Sequence, residues 1–271
     1  MAKEKILITV KTYPSISAKY DELVCTAGFR EDGSWIRIYP IQFRKKSYKE
    51  QYKKWQWIEI DVVKNTSDKR PESFRPISHS TPIEIVGAIK ADGGSWDKRR
   101  KIALQNVYTN KAKLLSEAKD NEKITSLAVF KPSKIVDFKI EETDREWKQE
   151  KLESLKQMNL FDATKGASLE VVKKLPFKFS YTFLDDEGES STLMNEDWEI
   201  GQLYWNSLKR HNGNEELACA DVRKKYMDDF AKTKDLYLFL GSTKLHHFRA
   251  PNPFLIIGTF HPKHISQTSI F

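Results

Sequence analysis

The stretch LVCTAGFREDGSWIRIYPIQFR, residues 23–44, decides how the first part of the chain folds. Two runs rich in β-branched and aromatic residues flank Glu31-Asp32-Gly33, and Asp-Gly supplies the positive backbone angles of a tight hairpin turn. Side chains of a strand alternate between faces, so Ile36 and Ile38 share one face while Trp35, Arg37 and Tyr39 share the other. The isoleucines need a core. The opposite row can stack on bases and pair with phosphate, or it can cover a second apolar layer with Arg37 at its rim.

Working outward, KILITVKTY (residues 5–13) reads as a strand that stops at Pro14. After the hairpin, the segment from Arg44 to Lys54 carries six Lys or Arg against a single Glu50. If helical, it aligns Tyr48, Tyr52 and Trp55 as a stripe beside cations, among them Arg44, Lys45 and Lys46. WQWIEIDVVK (55–64) is a strand with Ile58, Ile60 and Val62 on one side. DKRPESFRP (68–76) contains two prolines and reads as an ordered loop, offering Arg70 and Arg75 as phosphate contacts unless Arg70 pairs with Glu72. PIEIVGAIK (82–90) is a further strand, and Asp92-Gly93-Gly94-Ser95 breaks the chain.

Between Trp96 and Asp120 the apolar residues recur at helical spacing, with Lys98-Arg99-Arg100-Lys101 at the start. Cations in a first turn oppose the helix dipole, which points to a use for Arg99 and Arg100 on phosphate. SLAVF and KIVDFKIEE then read as strands closing the first module. DREWKQEKLESLKQM (144–158) is a charged helical connector. In FKFSYTFL (177–184) every second residue is aromatic, the clearest half-buried strand in the chain. Asn195 can cap a following helix, a second runs from Asn214 to about Lys232, and DLYLFLG and FLIIGTF supply two central strands.

The composition is 39% hydrophobic and 31% charged, with no apolar window of membrane-spanning length and no signal peptide, so a cytoplasmic protein without a membrane partner is expected. Residues 1–120 hold 24 Lys and Arg against 15 Asp and Glu, whereas residues 121–271 hold 22 against 23. The basic excess belongs to the first half and predicts a polyanionic partner there. Cys25 and Cys219 stand far apart and suggest neither a disulfide framework nor a zinc site. Four of the six histidines fall in the last 26 residues. His247 and His261, with Asp197, are the candidates for catalysis, but their spacing fits no metal motif, and glycine-rich nucleotide loops and nucleophile elbows are missing.

These features predict an α+β fold: a basic, β-rich module over 1–143 that could close as a small barrel, a helical connector over 144–168, and a C-terminal sheet covered by two helices over 169–271. The expected function is binding of nucleic acid, DNA or RNA, with single-stranded or modified forms favoured over plain duplex, through Trp35, Arg37, Tyr39, Arg44, Lys45, Lys46, Arg70, Arg75, Arg99 and Arg100. The alternatives are a nucleic-acid-directed hydrolase or modifying enzyme built on the C-terminal histidines, and an adaptor for a protein partner in a bacterial defence or regulatory complex. No cofactor and no metal is called for.

Overall fold

The computed structural model describes residues 2–17, 21–153 and 171–265, so residues 154–168 of the expected connector lie outside it. Strand β1 (Ala2–Lys11) is followed by β2 (Ser15–Ser17), and β3 (Asp21–Phe29) and β4 (Trp35–Ile41) form the expected hairpin. Gly33 has φ +81° in its turn, an angle glycine adopts without steric cost. β5 (Gln56–Lys64), β6 (Ser73–Pro76) and β7 (Ile83–Ala88) follow. β1 pairs antiparallel with β3 on one side and β5 on the other, and β6 bridges β4 to β5, so five strands close into a barrel. Closure removes the open edges that would otherwise invite pairing with other chains. β2 and β7 add to the outside of β3 and β5.

Alternation fills the barrel as the sequence predicts. Ile6 and Ile8 of β1, Ile36 and Ile38 of β4, and Ile58 and Ile60 of β5 form one buried cluster. Each such side chain contributes about 1.5–3 kcal/mol on leaving water. Gly28 lets β1 and β3 approach, because a Cβ there would stand 2.0 Å from the Leu7 carbonyl oxygen.

The second half builds two more sheets. β8 (Val107–Tyr108), β9 (Leu127–Phe130), β13 (Tyr237–Ser242) and β14 (Phe254–Phe260) form one. β10 (Lys134–Glu142), β11 (Phe177–Leu184) and β12 (Ser190–Met194) form the other. The strands β9 and β10, read from sequence as closing the first module, pair with β13 and β11. Helix α1 (Asp97–Ala103) and helix α2 (Lys111–Lys119) precede β9. Helix α3 (Trp198–Arg210) and helix α4 (Glu215–Arg223) cover the C-terminal sheets, and α4 continues as a π-helix over Lys224–Ala231. Their apolar faces meet Phe138, Phe179 and Tyr181 in one core with Tyr204, Tyr226 and Phe230.

A third apolar cluster joins the two halves: Leu7 and Phe29 of the barrel pack with Leu127, Val129, Phe239 and Phe260 of the four-stranded sheet. A large apolar seam of this kind fixes the relative placement of the halves. Among the described residues, no helix is long and apolar enough to cross a membrane.

Four local expectations are corrected. The basic segment after the hairpin is two short 3₁₀ turns, Phe43–Lys45 and Tyr48–Glu50, so Tyr48 is 88% exposed while Tyr52 is buried. The long helix expected over 96–120 is broken into α1, β8 and α2, because Val107 and Tyr108 pair with β9 and the Asn110 side chain accepts from the Lys113 amide to start α2. Ser73–Pro76, read as loop, is a barrel strand, with its proline at the strand's last position. Asp197, rather than Asn195, caps α3 by accepting from the Glu199 amide, while Asn195 Oδ1 accepts from the Asp197 amide.

Candidate nucleic-acid interface

The outer face of β4 does not form the uniform exposed row that alternation suggested. Trp35 lies in the seam, 4.0 Å from the Phe29 ring and 5.7 Å from that of Phe239, centroid to centroid. Arg37 is 2% exposed. Tyr39, at 37%, is the most exposed of the three. The reason is tertiary: the four-stranded sheet docks over the first two residues and leaves the end of β4 uncovered.

Arg37 anchors a buried polar network between the halves. Its Nη1 donates to Ser126 Oγ at 2.9 Å, its Nη2 donates to the Ser126 carbonyl at 3.1 Å and the Ser242 carbonyl at 3.4 Å, and Glu72 lies 4.0 Å away. Arg70 donates through Nε to Asp68 at 2.9 Å and through Nη1 to the same Ser242 carbonyl. Burial alone would raise the Asp68 pKa, but Arg70 and the Ser73 hydroxyl outweigh it and hold the carboxyl at about 2. Ser242 Oγ lies 2.7 Å from His247 Nδ1. His247 is fully buried, and its pKa is lowered by burial and then by the nearby Arg70. The Arg70–Glu72 pairing weighed from sequence is thus replaced by Arg70–Asp68, with Glu72 serving Ser126.

The other expected cations are dispersed. Arg44 pairs with Glu22 at 2.6 Å. Its neighbour Lys45 lies in the first 3₁₀ turn, and Lys46 donates to the carbonyls of His79 and Thr81. Arg99 donates to the Ile89 carbonyl and sits over the rings of Trp55 and Trp96. Arg100 pairs with Asp235 at 2.8 Å. In so short a helix Arg100 and Lys101 fall in the last turn, where the dipole favours them. Arg75 is exposed.

The three candidate catalytic residues are not brought together. Asp197 is fully buried and accepts from Lys54 Nζ at 2.6 Å. Burial pushes its carboxyl up to about 6, with Lys54 opposing. His261 stacks on Phe230 with centroids 3.5 Å apart, and burial lowers its pKa to about 4. His247 belongs to the Arg70 network instead. Among the described residues, no group of three or more His, Cys, Asp or Glu could hold a metal ion.

What the two halves do build is a cleft of about 1190 Å³. One wall comes from the barrel, including Tyr39, Asp68 and Arg75; the other comes from Phe177, Asn195 and the segment after β13. Seven cationic side chains line it, Arg37, Arg70, Arg75, Lys174, Lys178, Lys244 and Arg249, against the two carboxylates Asp68 and Glu196. Arg37 and Arg70 are committed to the buried network. Arg75, Lys178, Lys244 and Arg249 are exposed. At the same mouth stand Tyr39, Leu245 at 59% exposure and Phe248 at 57%. Tyr39 and Arg75 are the sequence-predicted residues that reach this surface. Lys244, Phe248 and Arg249 belong to KLHHFRAPNP and are not among the residues expected from sequence; their signal there is Phe-Arg between a strand end and two prolines, beside the paired histidines.

This architecture defines an α+β protein with a barrel module docked on a helix-covered sheet module, and a basic, aromatic-lined cleft between them. The chain belongs to the family described as a domain of unknown function (DUF8757), which residues 108–271 match, and residues 2–105 match a second domain of unknown function (DUF8758). No curated protein matches the chain.

Proposed function

We propose that this protein binds nucleic acid, and that the strand enters the cleft between the barrel and the C-terminal sheets. The observation that carries the reading is the mouth of the cleft, where Tyr39 and Phe248 stand in solvent among Arg75, Lys178, Lys244 and Arg249. Large rings left in water are costly unless something covers them, and flat rings beside exposed cations suit bases and phosphates together. Bases stacked within a duplex do not present their faces, so a single strand or an unpaired segment fits this mouth better than intact duplex. The role assigned from sequence to Trp35 and Arg37 passes to Phe248 and Arg249.

Binding is tested by fluorescence anisotropy with single-stranded DNA and RNA oligonucleotides across a salt series. Affinity should fall steeply with ionic strength, and Lys244→Glu with Arg249→Glu should abolish it while the melting temperature stays unchanged. Affinity indifferent to salt, or intact in the charge-reversed protein, would remove the proposal.

A further inference from the structure

Glu196 is the one carboxylate in the cleft that has no task in the structure. Asp68, the other, is held by Arg70 and Ser73. Among the described residues the Glu196 side chain has neither a hydrogen-bond nor an ion-pair partner, and burial raises its pKa with nothing opposing it. The side chain is half-buried, so the carboxylate keeps partial contact with water and stays available as an acceptor to a ligand in the cleft. Its backbone is nevertheless rigidly placed: the Glu196 amide donates to the Ile256 carbonyl at 2.8 Å, and its carbonyl accepts from the Tyr13 amide at 2.7 Å. Those two bonds tie it to β14 on one side and to the barrel's first loop on the other. Next to it, Asn195 is 3% exposed, with Oδ1 committed to the Asp197 amide and Nδ2 buried without any partner.

The charge pattern of the cleft is therefore split. Its mouth is cationic and suits phosphate; its wall carries an unpaired acceptor that suits an N–H donor. A ligand that satisfies both ends has phosphates outside and an amino group inside. Building on the nucleic-acid reading, we infer that Glu196 accepts a hydrogen bond from the exocyclic amino group of an unstacked base seated in the cleft, so that bases bearing this group are preferred over thymine and uracil. The chemistry follows from the base edges: adenine and cytosine carry an amino donor beside a ring-nitrogen acceptor, whereas thymine and uracil carry a carbonyl where cytosine has its amine. An ionised carboxylate only accepts, so it meets that carbonyl lone pair to lone pair. Asn195, the preceding residue on the same wall, holds a donor without a partner, Nδ2, that suits the neighbouring ring nitrogen.

Cytosine and thymine or uracil make the sharpest pair of probes, being close in size and opposite at the position read. The full-length protein is titrated with oligo-dC against oligo-dT, and with oligo-rC against oligo-rU, at one salt concentration. Cytosine strands should bind about tenfold tighter. Glu196→Ala should bring the two affinities together, and Asn195→Ala should narrow the gap only partly, with the salt dependence of both variants unchanged. Equal affinities in the wild type, a comparison that needs no variant to fold, would overturn the inference and leave nucleic-acid binding standing. A preference that survives Glu196→Ala would overturn it as well. Failure to bind any of the four strands would instead sink the underlying proposal of nucleic-acid binding.

Discussion

Arg37 and Arg70 on the floor of the cleft, and Arg75 and Arg249 at its mouth, are the same residue type about one cavity put to opposite uses. The floor pair is buried: Arg37 is held by Ser126 and the Ser242 carbonyl from across the seam, and Arg70 by Asp68 beside it and the same Ser242 carbonyl. The mouth pair is exposed and free to meet a ligand. Burial decides which role a guanidinium takes. A buried one must have its charge compensated internally and becomes part of the architecture, whereas an exposed one keeps its charge available at little cost.

The largest expected effect lies on the floor. Arg70→Ala leaves Asp68 buried without its ion-pair partner, with only the Ser73 hydroxyl donating to it, and should cost about 3–5 kcal/mol, read as a lowered urea midpoint. Arg75→Ala at the mouth should leave that midpoint unmoved; equal losses at the two positions would erase the distinction between them. Next in size is a pH effect at His261, whose ring stacks on Phe230. The folded-state pKa of His261 lies near 4, below its ordinary value, so the unfolded chain binds the extra proton first as pH falls. Stability should therefore be fully present above about pH 6.5 and decline by about 2–3 kcal/mol towards pH 4, and His261→Phe should flatten that part of the profile.

Effects at the mouth should appear in binding and not in folding. Phe248→Ala should weaken single-stranded oligonucleotide binding by about 1–3 kcal/mol in anisotropy titrations, with an unchanged melting curve. Smallest is Lys244→Ala, which should reduce the slope of log affinity against log salt by about 0.7 if it meets one phosphate. A mouth variant that unfolds the protein would show that the rim, too, is structural.

How far the sequence reached depends on whether a signal was local. The hairpin was legible because Asp32-Gly33 fixes the turn and Ile36 and Ile38 fix the inner face. FKFSYTFL was legible because its alternation runs unbroken, and Phe179, Tyr181 and Phe183 are all buried. Alternation identifies two faces of β4 but cannot tell whether the second one meets water or another sheet. Trp35 and Arg37 were thus correctly placed on one face, and their burial came from a docking partner more than eighty residues away. The same limit explains α1 and α2: the helical spacing over 96–120 is real, but the pairing of Val107 and Tyr108 with β9 overrides it. Nothing near Glu196 in sequence announces a cavity.

The carbonyl of Ser242 is grasped from the barrel by two guanidinium groups, and the residues that follow it carry Lys244, Phe248 and Arg249. That oxygen works as a hinge pin between the gripping surface and the body of the protein. A strand pulling on the rings loads the barrel and the helix-covered sheets through the same point, so occupancy should make both halves melt together at a higher temperature, as one mechanical unit rather than two.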